Sequence, residues 1–146
     1  MILFMQHKYW RLVLVGCLLL TLNACNTKAN PSSIHDPLLN QSQWVLAKNV
    51  PNLSRPITVL FERGRMSGFN GCNSYSGNYI ANEDGTLALG QPSVSRILCS
   101  GVPSQTERDY MDKLARVRIY ALVRGQLVLL DAQRKPLLTF QTYKPT

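Results

Sequence analysis

Two cysteines stand inside the part of this chain that can fold. Cys72 lies in the run Ser67-Gly68-Phe69-Asn70-Gly71-Cys72-Asn73-Ser74-Tyr75-Ser76-Gly77, and Cys99 in Ser95-Arg96-Ile97-Leu98-Cys99-Ser100. A bond across their 27-residue separation would remove unfolded-state entropy worth about 3–4 kcal/mol. That is a large constraint on a domain of roughly one hundred residues. In an oxidising compartment two thiols in one small domain usually pair. The alternatives are two free buried thiols or a redox-active pair. Neither cysteine sits in a Cys-x-x-Cys motif or at a clear helix N-terminus, where a thiolate is favoured.

The compartment is read from the front of the chain. Lys8 and Arg11 precede a mostly apolar run from Leu12 to Leu22. The run is shorter than the roughly 20 residues a bilayer span needs, and its form is that of a secretory signal peptide over residues 1–24. It ends in Leu22-Asn23-Ala24-Cys25, which resembles the lipobox of bacterial lipoproteins. The resemblance implies that Cys25 is lipidated and becomes the first residue. Leu14-Val15-Gly16-Cys17 is a rival site, but it leaves five residues after Arg11, below the usual apolar stretch of about 7–15. It would also expose Leu18-Leu19-Leu20. An uncleaved amphipathic anchor and a simply secreted protein are the other readings. Asn26, where an aspartate signals inner-membrane retention, implies the outer membrane and its periplasmic face. Two or more lipid chains hold such an anchor stably.

Residues 25–43 are rich in Asn, Pro and Ser and read as a flexible tether. The domain is expected over 44–143. The whole chain carries +8; losing Lys8 and Arg11 leaves 14 basic against 8 acidic residues, or +6. Arg63 and Arg65, Arg116 and Arg118, and Arg134 and Lys135 are close in sequence. No run of four basic residues and no aromatic–basic interleaving occurs, so the charge reads as a solvated surface with no nucleic-acid partner.

Strands are expected at Trp44–Ala47, Ile57–Phe61, Arg65–Phe69, Tyr75–Ile80 (broken by Gly77), and Thr86–Leu89, from β-branched and aromatic content and alternation. Arg63-Gly64 and Asn82-Glu83-Asp84-Gly85 separate them as turns. Ser104-Gln105-Thr106-Glu107 has the form of a capping box. Tyr110, Met111, Leu114 and Val117 then form an apolar helical stripe. Glu107, Asp109 and Asp112 fall toward the positive end of that helix, and Lys113, Arg116 and Arg118 toward the other. Ile119–Val123, Leu127–Leu130 and Pro136–Gln141 complete a meander. These elements predict an α+β fold: a curved antiparallel sheet or partly closed barrel of seven or eight strands with one packed helix.

The pattern resembles the META domain family. The residues that carry it are Trp44 and Leu46, then Gly68-Phe69-Asn70-Gly71-Cys72-Asn73 with Tyr75 and Gly77. Ser95-Arg96, Cys99 and the Glu107 helix follow, and then Leu127–Asp131 and Pro136–Leu138. Bacterial members include the HslJ-type lipoproteins. The family commonly has Met-Ala-Cys-Pro around its second cysteine, whereas Ile97-Leu98-Cys99-Ser100 stands here. The resemblance implies a barrel-like α+β fold, links with heat shock and antibiotic tolerance, structural similarity to pilot lipoproteins of secretion systems, and no settled enzymatic activity.

The chain has two histidines, His7 in the leader and His35 in the tether. A Ser-His-acid or Cys-His site in the domain is therefore unavailable, and so are four zinc ligands. The glycines around Gly71 lack the Gly-Lys-Ser/Thr of a phosphate loop. Glu62, Glu83, Asp84 and Asp131 are the remaining candidates for a carboxylate pair. Trp44, Phe69, Tyr75 and Tyr79 either line a cavity or fill the core. The expectation is a non-enzymatic envelope lipoprotein without cofactor or metal. Its domain binds a partner protein or supports envelope assembly or stress tolerance. The alternative is a barrel that binds a small molecule or lipid.

Overall fold

The computed structural model describes residues 38–144. The leader over 1–24, Cys17, Cys25 and the tether as far as residue 37 lie outside the described residues. Among the described residues nine strands form one antiparallel sheet. They are β1 (Ser42–Leu46), β2 (Thr58–Glu62), β3 (Arg65–Phe69), β4 (Ser74–Ala81), β5 (Leu87–Leu89), β6 (Ser93–Val94), β7 (Ile119–Val123), β8 (Gln126–Leu130) and β9 (Pro136–Thr142). One helix, α1 (Val102–Arg116), joins β6 to β7.

The spatial order is β5-β4-β3-β2-β1-β9-β8-β7, with β6 paired to β4 beside β5. The sheet curls until its ends meet. Thr86 bridges Ile119, the Leu87 N–H donates to Arg118 O at 2.8 Å, and the Tyr120 N–H donates to Gly85 O at 2.9 Å. The result is a nearly closed barrel in which most sheet edges are removed. The turns at Arg63-Gly64 and Arg124-Gly125 have positive φ at both residues, which matches the twist of the strands they join.

Alternation supplies the inward face. Val59 and Phe61, Met66, Tyr75, Tyr79 and Ala81, Leu87, Leu127 and Leu129, and Leu138 and Phe140 are all buried. Phe61 and Tyr79 meet edge to face at 5.0 Å. Tyr110 and Leu114 of α1 enter the same core, as does Val117 just past the helix end. Of the four aromatics, Trp44, Tyr75 and Tyr79 fill the core, whereas Phe69 is buried outside that cluster.

Four details differ from the sequence expectation. The strand β4 runs unbroken through Gly77. A Cβ there would lie 3.2 Å from Pro92 Cα and 3.3 Å from Gly90 O, so the glycine admits the β5–β6 connection rather than ending a strand. That connection leads to the two-residue β6, too short to show in the sequence pattern. Packing also begins ahead of Trp44: Leu39 is fully buried, and the Ser42 hydroxyl donates to Leu39 O while accepting from Trp44 Nε1 at 2.8 Å.

The fourth difference is the start of the helix. It opens at Val102 with Gly101 as its N-cap and no side-chain cap, and Pro103 falls in its first turn, where the missing N–H has no helical partner to lose. Ser104 is a helical residue whose hydroxyl accepts from Arg108 Nη1 at 2.7 Å. Glu107 lies beyond the first turn, which carries no acid; the complement to the helix dipole is confined to Lys113 and Arg116 at the other end.

Candidate functional site

The run from Gly68 to Tyr75 leaves β3, turns, and enters β4. Two of its glycines are required by close approach. A Cβ on Gly68 would lie 2.0 Å from Thr58 O. Gly71 has φ +108, and a Cβ there would lie 2.9 Å from the Thr106 methyl of α1. Between them Asn70 is completely buried and Asn73 nearly so. These are the two buried polar side chains in the described residues, and such groups are tolerated only when hydrogen-bonded.

Both are bonded several times over. Asn70 Oδ1 accepts from the backbone N–H of Cys72 (3.1 Å) and Asn73 (2.7 Å), while the Asn70 N–H donates to Asn73 O at 3.0 Å. Asn70 Nδ2 donates to Glu107 Oε1 at 3.1 Å. Asn73 Nδ2 shares its hydrogens among the two Glu107 carboxylate oxygens (3.1 and 3.2 Å) and Ile97 O (3.2 Å). Asn73 Oδ1 accepts from Ser95 Oγ and the Ile97 N–H, both at 2.8 Å. Cys72 is bonded to Cys99, with their Cα atoms 6.1 Å apart. Three segments distant in sequence are thus tied together: the β3–β4 loop, the β6–α1 loop and α1 itself.

One step further in, Tyr75 Oη donates to Thr58 O at 3.0 Å and lies 2.6 Å from Tyr110 Oη, so Tyr110 donates to Tyr75. Burial pushes both phenols above their ordinary range; for Tyr75 the neighbouring Tyr110 adds to the rise, whereas for Tyr110 the bond to Tyr75 opposes it. Phe69 is capped by the Arg55 guanidinium, 3.9 Å above its ring, a cation–π contact.

The family-motif residues Gly68, Phe69, Gly71, Cys72, Asn73, Tyr75 and Gly77 therefore converge on packing and internal hydrogen bonds. Sequence reasoning missed three of their partners: Asn70 as a buried hub, Ile97 as a backbone partner, and Glu107 as the carboxylate that closes the network. The last was hidden because its spacing from Ser104 reads as a local cap. In the cluster the two sulfurs are joined, the Glu107 carboxylate is bonded to two amides, and burial raises both phenols.

The candidate carboxylates lie elsewhere. Glu62 is exposed at the end of β2, and Glu83 and Asp84 in the β4–β5 turn. Asp84 Oδ1 accepts from the Thr86 hydroxyl and N–H, bonds that hold its carboxyl below the usual range. Asp131 accepts from the Gln133 and Lys135 N–H groups in the β8–β9 turn. Among the described residues no three His, Cys, Asp or Glu side chains gather as a metal-holding group, and no helix is long and apolar enough to cross a membrane.

A hollow of about 430 Å³ opens where β5 bends toward β6 under α1, lined by Met66, Leu89, Pro92, Met111, Leu114 and Ala115 with the backbone of Gly90.

The META domain family model matches residues 37–144. A protein from Burkholderia xenovorans, solved by NMR, is similar at 25% identity and a TM-score of 0.61, over 74% of this chain and 86% of that one. Another NMR structure is 22% identical with a TM-score of 0.55, over 72% and 92%. A crystal structure of a DUF4847 family protein from Bacteroides vulgatus ATCC 8482 shares the fold at 13% identity and a TM-score of 0.52, over 75% and 97%. No curated protein matches the chain.

Proposed function

Because the chain belongs to the META domain family, and its motif residues are occupied with one another, we propose that it is a non-enzymatic envelope lipoprotein whose META domain binds a partner protein and so supports envelope assembly or stress tolerance. Cys25 carries the lipid, and the anchor holds the domain at the periplasmic face of the outer membrane. The leader pattern and Asn26 support the anchor and its location.

The observation that carries the binding role is the apolar hollow beside α1. Its two methionines are flexible and polarizable, which suits a surface that must fit another protein. A photo-crosslinking residue at Met111 of the full chain, in cells grown normally and under heat stress, is expected to capture one reproducible protein. Capture should fall when Ala115→Arg fills the hollow. No adduct in any condition sinks the reading. Labelling with a palmitate analogue tests the anchor: label should survive Cys17→Ala and vanish in Cys25→Ala.

The same hollow favours a second reading, a small apolar ligand, because it exceeds the roughly 300 Å³ at which ligand sites begin. Native mass spectrometry of the purified chain would then show a bound mass that Met111→Trp releases.

A further inference from the structure

The β6–α1 loop combines a pinned backbone with apolar side chains that point away from the protein. Ser95 is fixed to Ser74 through its N–H at 2.9 Å and to Asn73 through its hydroxyl. The Ile97 N–H and C=O both bond to the Asn73 side chain, which stands in for a neighbouring strand. Cys99 is tied to Cys72. Yet Leu98 is 100% exposed, Ile97 63% and Val102 38%. Eight large apolar residues are exposed among those described, and three of them fall in this one stretch. A slack loop would fold such side chains back. This one is held so that it cannot.

The surroundings are cationic. Arg96 is exposed next to Ile97. Arg55 bonds to the Ser74 hydroxyl at 3.3 Å, and Ser74 is the backbone partner of Ser95. Arg108 bonds to Ser104 in the turn that follows Val102. The nearest acid in sequence, Glu107, is engaged by Asn70 and Asn73. The next, Asp109, lines a different hollow with Lys48 and Lys113.

We propose that residues 95–102 form a rigid membrane-contact knob. Ile97 and Leu98 enter the interfacial layer of an anionic phospholipid bilayer, and Arg96, Arg55 and Arg108 receive its phosphate oxygens. Apolar side chains next to Arg96, with Arg55 and Arg108 on the segments bonded to and following this loop and the Glu107 carboxylate engaged by amides, match that layer in both its parts. The knob uses none of the residues that line the hollow beside α1, so it stands or falls separately from the partner-binding role.

The test places tryptophan at the tip of the full chain, Leu98→Trp, with Leu122→Trp, an exposed apolar position on β7, as control. The parent chain, taken through the same measurement, supplies the background of its own tryptophans. Vesicles are phosphatidylcholine with brominated acyl chains, with and without phosphatidylglycerol. With phosphatidylglycerol, emission from position 98 should shift to the blue and be lost to bromine, while position 122 stays unchanged. Without it, position 98 should stay unchanged as well. Arg96→Gln should raise the lipid needed for half the effect about fivefold, the value of one surface cation. Equal quenching at 98 and 122, or quenching at 98 that ignores phosphatidylglycerol, overturns the proposal. A blue shift at 98 that requires added membrane proteins assigns the knob to a protein partner and overturns it too.

Discussion

Along α1, the Glu107 carboxylate and the Tyr110 hydroxyl meet the rest of the domain through polar atoms, whereas Met111, Leu114 and, past the helix end, Val117 meet it through hydrocarbon. The hydrocarbon half gains from area alone and tolerates small shifts in register. The polar half gains little net free energy per bond, but it has one geometry in which Asn70 and Asn73 are satisfied. The comparison separates what holds the helix down from what holds it in place. The motif that identifies the family belongs to the second kind.

Three variants probe that division. Leu114→Ala, at a side chain 2% exposed, should cost about 2–5 kcal/mol in urea unfolding while the 95–102 loop keeps its hydrogen-exchange protection. Replacing Cys72 and Cys99 together by serine should cost about 3 kcal/mol, and here the loop should lose protection before the barrel does. Asn73→Ala should cost about 1–3 kcal/mol, because it strands Glu107 and the Ile97 backbone groups, and its exchange pattern should resemble the cysteine variant rather than Leu114→Ala. Loss of protection across the whole barrel in Asn73→Ala would mean that the polar half carries the core's stability as well.

Much of this division was legible in the chain. Alternation in Val59 and Phe61, in Tyr75 and Tyr79, and in Leu138 and Phe140 marked strands, because the side-chain period of a half-buried strand is local. Tyr110, Met111 and Leu114 marked the helix by the same logic. The cysteines announced their own bond. What stayed hidden was non-local. Glu107 lies 37 residues from Asn70, and no spacing rule links a buried amide to a carboxylate on another element. Gly77 looked like a break because glycine weakens strands in general; its use depends on Pro92 arriving beside it. Leu39 sat in polar sequence, where a single apolar residue gives no pattern.

The phenol pair sits at the border between the two halves and gives the comparison a pH axis. Burial raises Tyr75 and Tyr110 in the folded state, so the unfolded chain ionises first. Their contribution is complete below about pH 10, the ordinary phenol value, and is lost as pH climbs beyond it. The slope is up to about 1.4 kcal/mol per pH unit for each phenol. Tyr110→Phe should lose about 1 kcal/mol at neutral pH through the missing hydrogen bond and flatten the alkaline limb seen in urea titrations above pH 10.

Ser104→Ala is the smallest expected effect and the sharpest check on where the polar half begins. If Ser104 capped the helix, as Ser104-Gln105-Thr106-Glu107 suggests, removing its hydroxyl would cost about 0.5–2 kcal/mol. In the structure Gly101 occupies that position, and Gln105 makes the first helical bond to Gly101 O at 3.2 Å. Ser104 lies inside the helix, where alanine is the better residue, and it loses only an exposed bond from Arg108. The variant should therefore sit within about 0.5 kcal/mol of the parent chain, with unchanged protection at Glu107. A cost near the capping value would move the helix start to Ser104. It would also return Glu107 to a local role, and Asn70 and Asn73 would then need another partner for their buried amides.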